Sequence, residues 1–143
     1  MSKKQSGFTL IEVCVSLFLI LLCLVIPIHS MQQAKQEVEA YRFLTEFEKS
    51  VKLYHQKAVL TSFPAEIRID SKQVYFDYRK QEIILLTYPK GTSFAVSDPI
   101  ALKFTQRTGT SQSTSIIRFL LPSGQKVSYT FKLGRGNYDK NIE

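Results

Sequence analysis

Glu12 is the one charged side chain between Phe8 and Ile28, a stretch in which 17 of 21 residues are apolar. An ionised carboxylate in hydrocarbon is costly unless a positive partner meets it, so an acid in this setting marks a functional position. The rest of the chain offers little for catalysis. Its two histidines, His29 and His55, stand in no metal-ligand spacing and in no Ser/His/Asp or Cys/His arrangement. Gly134-Arg135-Gly136 is not a phosphate loop, because no strand-to-helix unit follows it. Cys14 and Cys23 both lie in the apolar run. Their separation along a helix is roughly 13 Å, beyond disulfide reach within one chain. They read as small hydrophobes, and no cysteine elsewhere could build a disulfide framework or a thiolate zinc site. No catalytic residue, no metal site and no cofactor is expected.

The element that must carry Glu12 is a helix. Phe8–Ile28 would form about 31 Å of it, enough to cross a bilayer. Lys3 and Lys4 precede the run and favour a cytoplasmic N-terminus, which puts the residues beyond it outside. An ordinary secretory signal fits poorly, because the exit Pro27-Ile28-His29-Ser30-Met31 places Ile28 where a small residue should stand. Pro27 is expected to kink the helix or to mark its boundary at the membrane surface.

Charge divides the chain in the same way. Residues 1–7 carry +2, residues 8–60 balance five bases against five acids, and residues 61–143 set twelve bases against seven acids, for a total of +7 over 143 residues. A basic excess attracts nucleic acid, anionic lipid or acidic polymer, although an excess of this size commonly serves solubility alone.

From Gln32 to Leu60 the pattern stays helical. Ala34, Val38, Tyr41, Leu44, Val51, Tyr54 and Ala58 recur at three- and four-residue steps, with one longer gap, opposite Lys35, Glu39, Glu46, Lys49 and Lys52. Pro64 stops the helix. Beyond it the period changes to that of strands. Ile100-Leu102-Phe104 and Val127-Tyr129-Phe131-Leu133 alternate with polar or small residues, and Ile67/Ile69, Val74–Tyr78 and Glu82–Tyr88 read as three further strands. Ile116–Leu121 and Lys126–Leu133 flank the turn Pro122-Ser123-Gly124-Gln125. Thr108–Ser115 reads as a mobile polar loop, and there is no internal repeat. An α+β fold follows, with six or seven short antiparallel strands packed on the amphipathic half of the helix.

The stretch Lys3-Lys4-Gln5-Ser6-Gly7-Phe8-Thr9-Leu10-Ile11-Glu12 closely resembles the class III leader of type IV prepilins and pseudopilins. That resemblance implies a pilin-like fold, with a long N-terminal helix (transmembrane, then amphipathic) packed on a small antiparallel β-sheet head. It implies cleavage between Gly7 and Phe8 by a prepilin peptidase, N-methylation of Phe8, and a glutamate at the fifth mature position in Glu12. Pro27 falls near the helix-breaking proline of many pilins. The implied organisation is a cleaved leader (1–7), a transmembrane or filament-core helix (8–28), a helical stem (29–60) and a β head (61–143). The implied partners are the prepilin peptidase, other major and minor pilins and the cytoplasmic membrane. Burying Glu12 in a filament calls for a compensating charge, which a neighbouring subunit's Phe8 amine can supply.

The long stem, the small cysteine-free head and the basic balance are most similar to the ComGD-type minor pseudopilins of the Gram-positive competence pilus, which serves DNA uptake in natural transformation. A pseudopilin of a type II secretion system, a major pilin, and a single-pass surface protein that never assembles stay open. Weak DNA contact through the basic head also stays open. Tyr75, Tyr78, Tyr129 and Tyr138 could stack on bases, but such tyrosines more often fill a sheet face.

Overall fold

The computed structural model describes residues 9–78, 82–95, 99–134 and 136–143, with residues 24–30 and 82–84 described as backbone. One helix, α1, runs Leu10–Leu60. Its first turn is anchored on Thr9, whose carbonyl accepts from Glu12 N at 3.1 Å and Val13 N at 3.3 Å. Thr9 and Glu12 also have the spacing of a capping box, and an acid in the first turn complements the helix dipole.

The far end is closed by other means. Lys57 O accepts from both Thr61 N (3.1 Å) and Thr61 Oγ1 (2.6 Å), and Ala58 O accepts from Arg107 N at 2.7 Å. Orphan carbonyls at a helix end must find such donors, and Pro64 prevents continuation.

Two compact units result, one ending at Lys35 and the other spanning Gln36–Glu143. In the first, the side chains described between Leu10 and Cys23 leave no helix face covered. Leu10, Ile11, Val13, Val15 and every residue from Leu17 to Leu22 are exposed.

In the second unit the strands are β1 (Ala65–Ile69), β2 (Gln73–Tyr78), β3 (Glu82–Thr87), β4 (Ser93–Phe94), β5 (Ile100–Phe104), β6 (Ser115–Leu120), β7 (Lys126–Phe131) and β8 (Tyr138–Ile142). They form two antiparallel sheets, ordered β3-β2-β1-β5 and β4-β6-β7-β8. Alternation puts Ala65, Ile67, Ile69, Val74, Phe76, Leu102 and Phe104 of the first sheet in the core. Ile117, Phe119, Val127, Tyr129 and Phe131 of the second sheet join them.

Both sheets close on the helix face Ala40, Phe43, Leu44, Phe47, Val51, Tyr54 and Ala58. Phe47 ties them together. Its ring centroid lies 6.1 Å from Phe76, 5.2 Å from Phe119 and 5.3 Å from Tyr129.

Three expectations need correcting. The packed stripe contains Leu44, Val51, Tyr54 and Ala58, but Val38 and Tyr41 are 63% and 43% exposed. Two apolar faces compete near residue 40, and the one bearing Phe43 and Phe47 wins because aromatic rings bury more area. The described residues form eight strands in two sheets rather than six or seven. The additions are the two-residue β4 and the polar β8, which has no alternation to reveal it.

The segment from Thr108 is fastened rather than mobile. Thr105 N donates to Thr110 O (2.9 Å), Gln112 N to Lys103 O (3.0 Å) and Gly134 N to Ser111 O (3.2 Å). Gly109 has φ +65°, and a Cβ there would lie 2.4 Å from Val59 Cγ2, so this loop is fitted against the end of α1.

Candidate assembly site

Glu12 sits in the first turn of α1, exposed, with Ser16 Oγ donating to its backbone carbonyl at 2.7 Å. Around it and beyond it the helix is apolar on every side. A helix of this kind belongs in a protein core or a membrane, and the described residues of the first unit include no buried side chain. Cys14 and Cys23 are exposed and free on the same stretch.

Gly7 and Phe8 lie outside the described residues, as does the side chain of Pro27, although α1 runs through position 27. Of the expected span Phe8–Ile28, Phe8 and the side chains from residue 24 onward therefore fall outside. Among the described residues, no helix is long and apolar enough to cross a membrane.

The head holds itself to α1 by polar bonds beside the aromatic core. Glu48 Oε1 accepts from the buried Tyr129 hydroxyl at 2.8 Å and from Lys140 Nζ at 2.8 Å. Burial alone would raise the Glu48 carboxyl, but these two donors and the charges of Lys140 and Lys52 outweigh it and hold the group below its ordinary range. Burial, reinforced by Glu48, pushes the Tyr129 phenol up. Sequence reasoning missed Glu48 because its partners lie on β7 and β8. The available signal was an acid flanking Phe47, on the margin of an aromatic face.

Two of the cavities that open on the head are lined by described residues. One of about 430 Å³ is lined by Phe63, Pro64, Glu66, Asp77, Lys103 and Gln112. Its carboxylates face bases: Arg68 reaches Glu66 at 3.9 Å and Asp77 at 3.6 Å, and Lys103 reaches Glu66 at 3.9 Å. The other, about 380 Å³, is bordered by Lys52, His55, Asn137, Tyr138 and Asp139. Among the described residues, no three His, Cys, Asp or Glu side chains converge to hold a metal.

The tyrosines weighed for base stacking are mostly taken up by the sheets. Tyr78 and Tyr129 are buried, and Tyr138 packs edge-on against Tyr129 at 5.3 Å. Tyr75 is half-buried and takes a hydrogen bond from Gln73 Nε2. Four of the head's bases are engaged in ion pairs, namely Arg68, Lys103, Lys132 (2.6 Å to Asp139) and Lys140.

Comparison with known proteins bears on the first unit. Residues 2–26 match the model of the prokaryotic N-terminal methylation motif. No curated protein and no solved structure matches the chain. The motif points to a structural protein rather than an enzyme, and it indicates a type IV pilin-like precursor that is processed by a prepilin peptidase and assembled with other pilins.

Proposed function

We propose that the chain is a minor pilin (pseudopilin) precursor of the ComGD type, assembling into a competence pilus that takes up DNA for natural transformation. The observation that carries this reading is an apolar helix, exposed on every face from Leu10 to Leu22, inside a matched N-terminal methylation motif. Such a surface needs lipid before assembly and other subunits after it.

In this reading the peptidase cuts between Gly7 and Phe8, Phe8 is methylated, and Glu12 pairs with the Phe8 amine of a neighbour. Pro27 gives the helix its kink. The precursor spans the cytoplasmic membrane once with its head outside, and after processing it joins other pilins at the cell surface. The head's excess of five positive charges over residues 61–143 would attract DNA weakly, through exposed bases such as Lys72, Arg107 and Arg118. That binding would weaken steeply with salt.

Deleting the gene and measuring transformation, filament formation and protein secretion in parallel tests the proposal. Lost transformation with secretion intact is the expected result. Lost secretion with transformation intact would replace it with a type II secretion pseudopilin. Glu12→Val should permit cleavage and block incorporation; normal incorporation of that variant would remove the assembly role of Glu12.

A further inference from the structure

The turn between β6 and β7 reaches back to α1 at two places. The Glu37 carboxylate accepts from the Ser123 backbone N–H at 3.2 Å and from the Ser123 hydroxyl at 3.0 Å. Four residues on, hence on the same helix face, the Tyr41 hydroxyl donates to Gln125 Oε1 at 3.0 Å. The turn is stiff in itself, because Leu121 N donates to Gln125 O and Gly124 N to Leu121 O, each at 2.9 Å. A second turn backs it. Thr92 N donates to Pro89 O at 3.1 Å, and a Cβ on Gly91 would lie 3.1 Å from Pro122 Cγ. Gly91 has φ +81°, which a larger residue would resist.

From Phe43 to Ala58 the helix is held by buried apolar and aromatic side chains. Within residues 36–42 only Ala40 is buried, while Val38 is largely and Tyr41 partly exposed. Residues 36–42 are thus attached chiefly by polar bonds that water can replace. They are also the first residues of the head's compact unit, which begins at Gln36.

We infer that the Pro122–Gln125 turn is a releasable clasp on these first two helical turns. Closed, it holds residues 36–42 to the head. Open, it lets them lift while the aromatic core beyond Phe43 stays packed. Opening exchanges the Glu37 and Tyr41 hydrogen bonds for water and draws Ala40, the one fully buried residue of the segment, away from the head, so it is a local event that occurs far more often than global unfolding. Reclosing is fast, because the turn keeps its shape and only the side chains of Glu37, Tyr41, Ser123 and Gln125 must find their rotamers. The clasp therefore sets how much of α1 the head holds, whichever filament the chain joins.

Hydrogen exchange on the full chain in detergent micelles tests this, since a stretch of helix that loses its packing support opens its amides to water more often than the packed stretch that follows it. Glu37→Ala, which removes two of the bonds, should lower protection of amides 38–42 by about tenfold or more. Amides 47–58 should keep their protection. Ser123→Ala should show a smaller loss at 38–42, Ser123→Thr should match the native chain, and Tyr41→Phe should have the least effect of all. Unchanged protection at 38–42 in Glu37→Ala would overturn the inference. So would an equal loss at 47–58, or a Ser123→Thr variant that exchanges like Ser123→Ala.

Discussion

Two parts of α1 use apolar residues in opposite ways. From Leu10 to Leu22 they occupy every face and all are exposed. From Ala40 to Ala58 they keep to one stripe, and both sheets close over it. The difference lies in the intervening residues. Glu46, Lys49 and Lys52 give the later segment a solvated back, which fixes which side turns inward. Apart from Glu12 and Ser16, the earlier segment has no such side, so its partners must surround it. One helix thus carries an internal packing instruction and an external one.

Phe47→Ala should break the internal half most severely. It empties the point where the rings of Phe47, Phe76, Phe119 and Tyr129 meet, and head stability should fall by about 3–5 kcal/mol. Thermal or denaturant unfolding of the head would show it, with membrane association unaltered. A loss below about 1 kcal/mol would mean that the sheets do not depend on this stripe.

A smaller effect is expected at Glu48, whose folded-state carboxyl lies below its unfolded value. The stabilisation from that difference is present in full above the ordinary glutamate value of about 4.3, and is lost as pH falls through the lower folded value. Tyr129→Phe should cost roughly 1–2 kcal/mol near neutral pH. It should also flatten the acid limb of the stability curve, read by unfolding the head at a series of pH values. An acid limb of unchanged steepness would assign that limb to other carboxylates.

The smallest change should come from Phe18→Ala in the external half. Phe18 is 62% exposed, so head stability should stay within about 0.5 kcal/mol. Any measurable loss should appear only in membrane retention or assembly. A clear drop in head stability would show that the two halves are not separable.

Local pattern made much of this legible. The end of α1 near Leu60, the strand alternation around Leu102 and Tyr129, and the turn at Pro122–Gln125 all rest on neighbours in sequence. Spacing alone does not choose the helix face near residue 40, because Val38 and Tyr41 satisfy the same spacing as Ala40 and Phe43, and only the covering sheets decide between them. β8 was hidden because its edge position lets polar side chains such as Asp139 and Lys140 stand in a strand. The ties that fasten the head, Glu37 to Ser123 and Glu48 to Tyr129, join residues 86 and 81 positions apart. No window along the chain can see them.

The carbonyl of Ala58 waits for the amide of Arg107. As the chain is synthesised, α1 emerges first, yet its last turn has no long-range cap until β5 has been made and laid against β1. Helix completion and closure of the first sheet are therefore coupled events. Substitutions that loosen β5, such as Leu102→Ala, should speed exchange at the end of α1 as well as in the sheet, and the head should fold in one cooperative step rather than as a finished helix awaiting its strands.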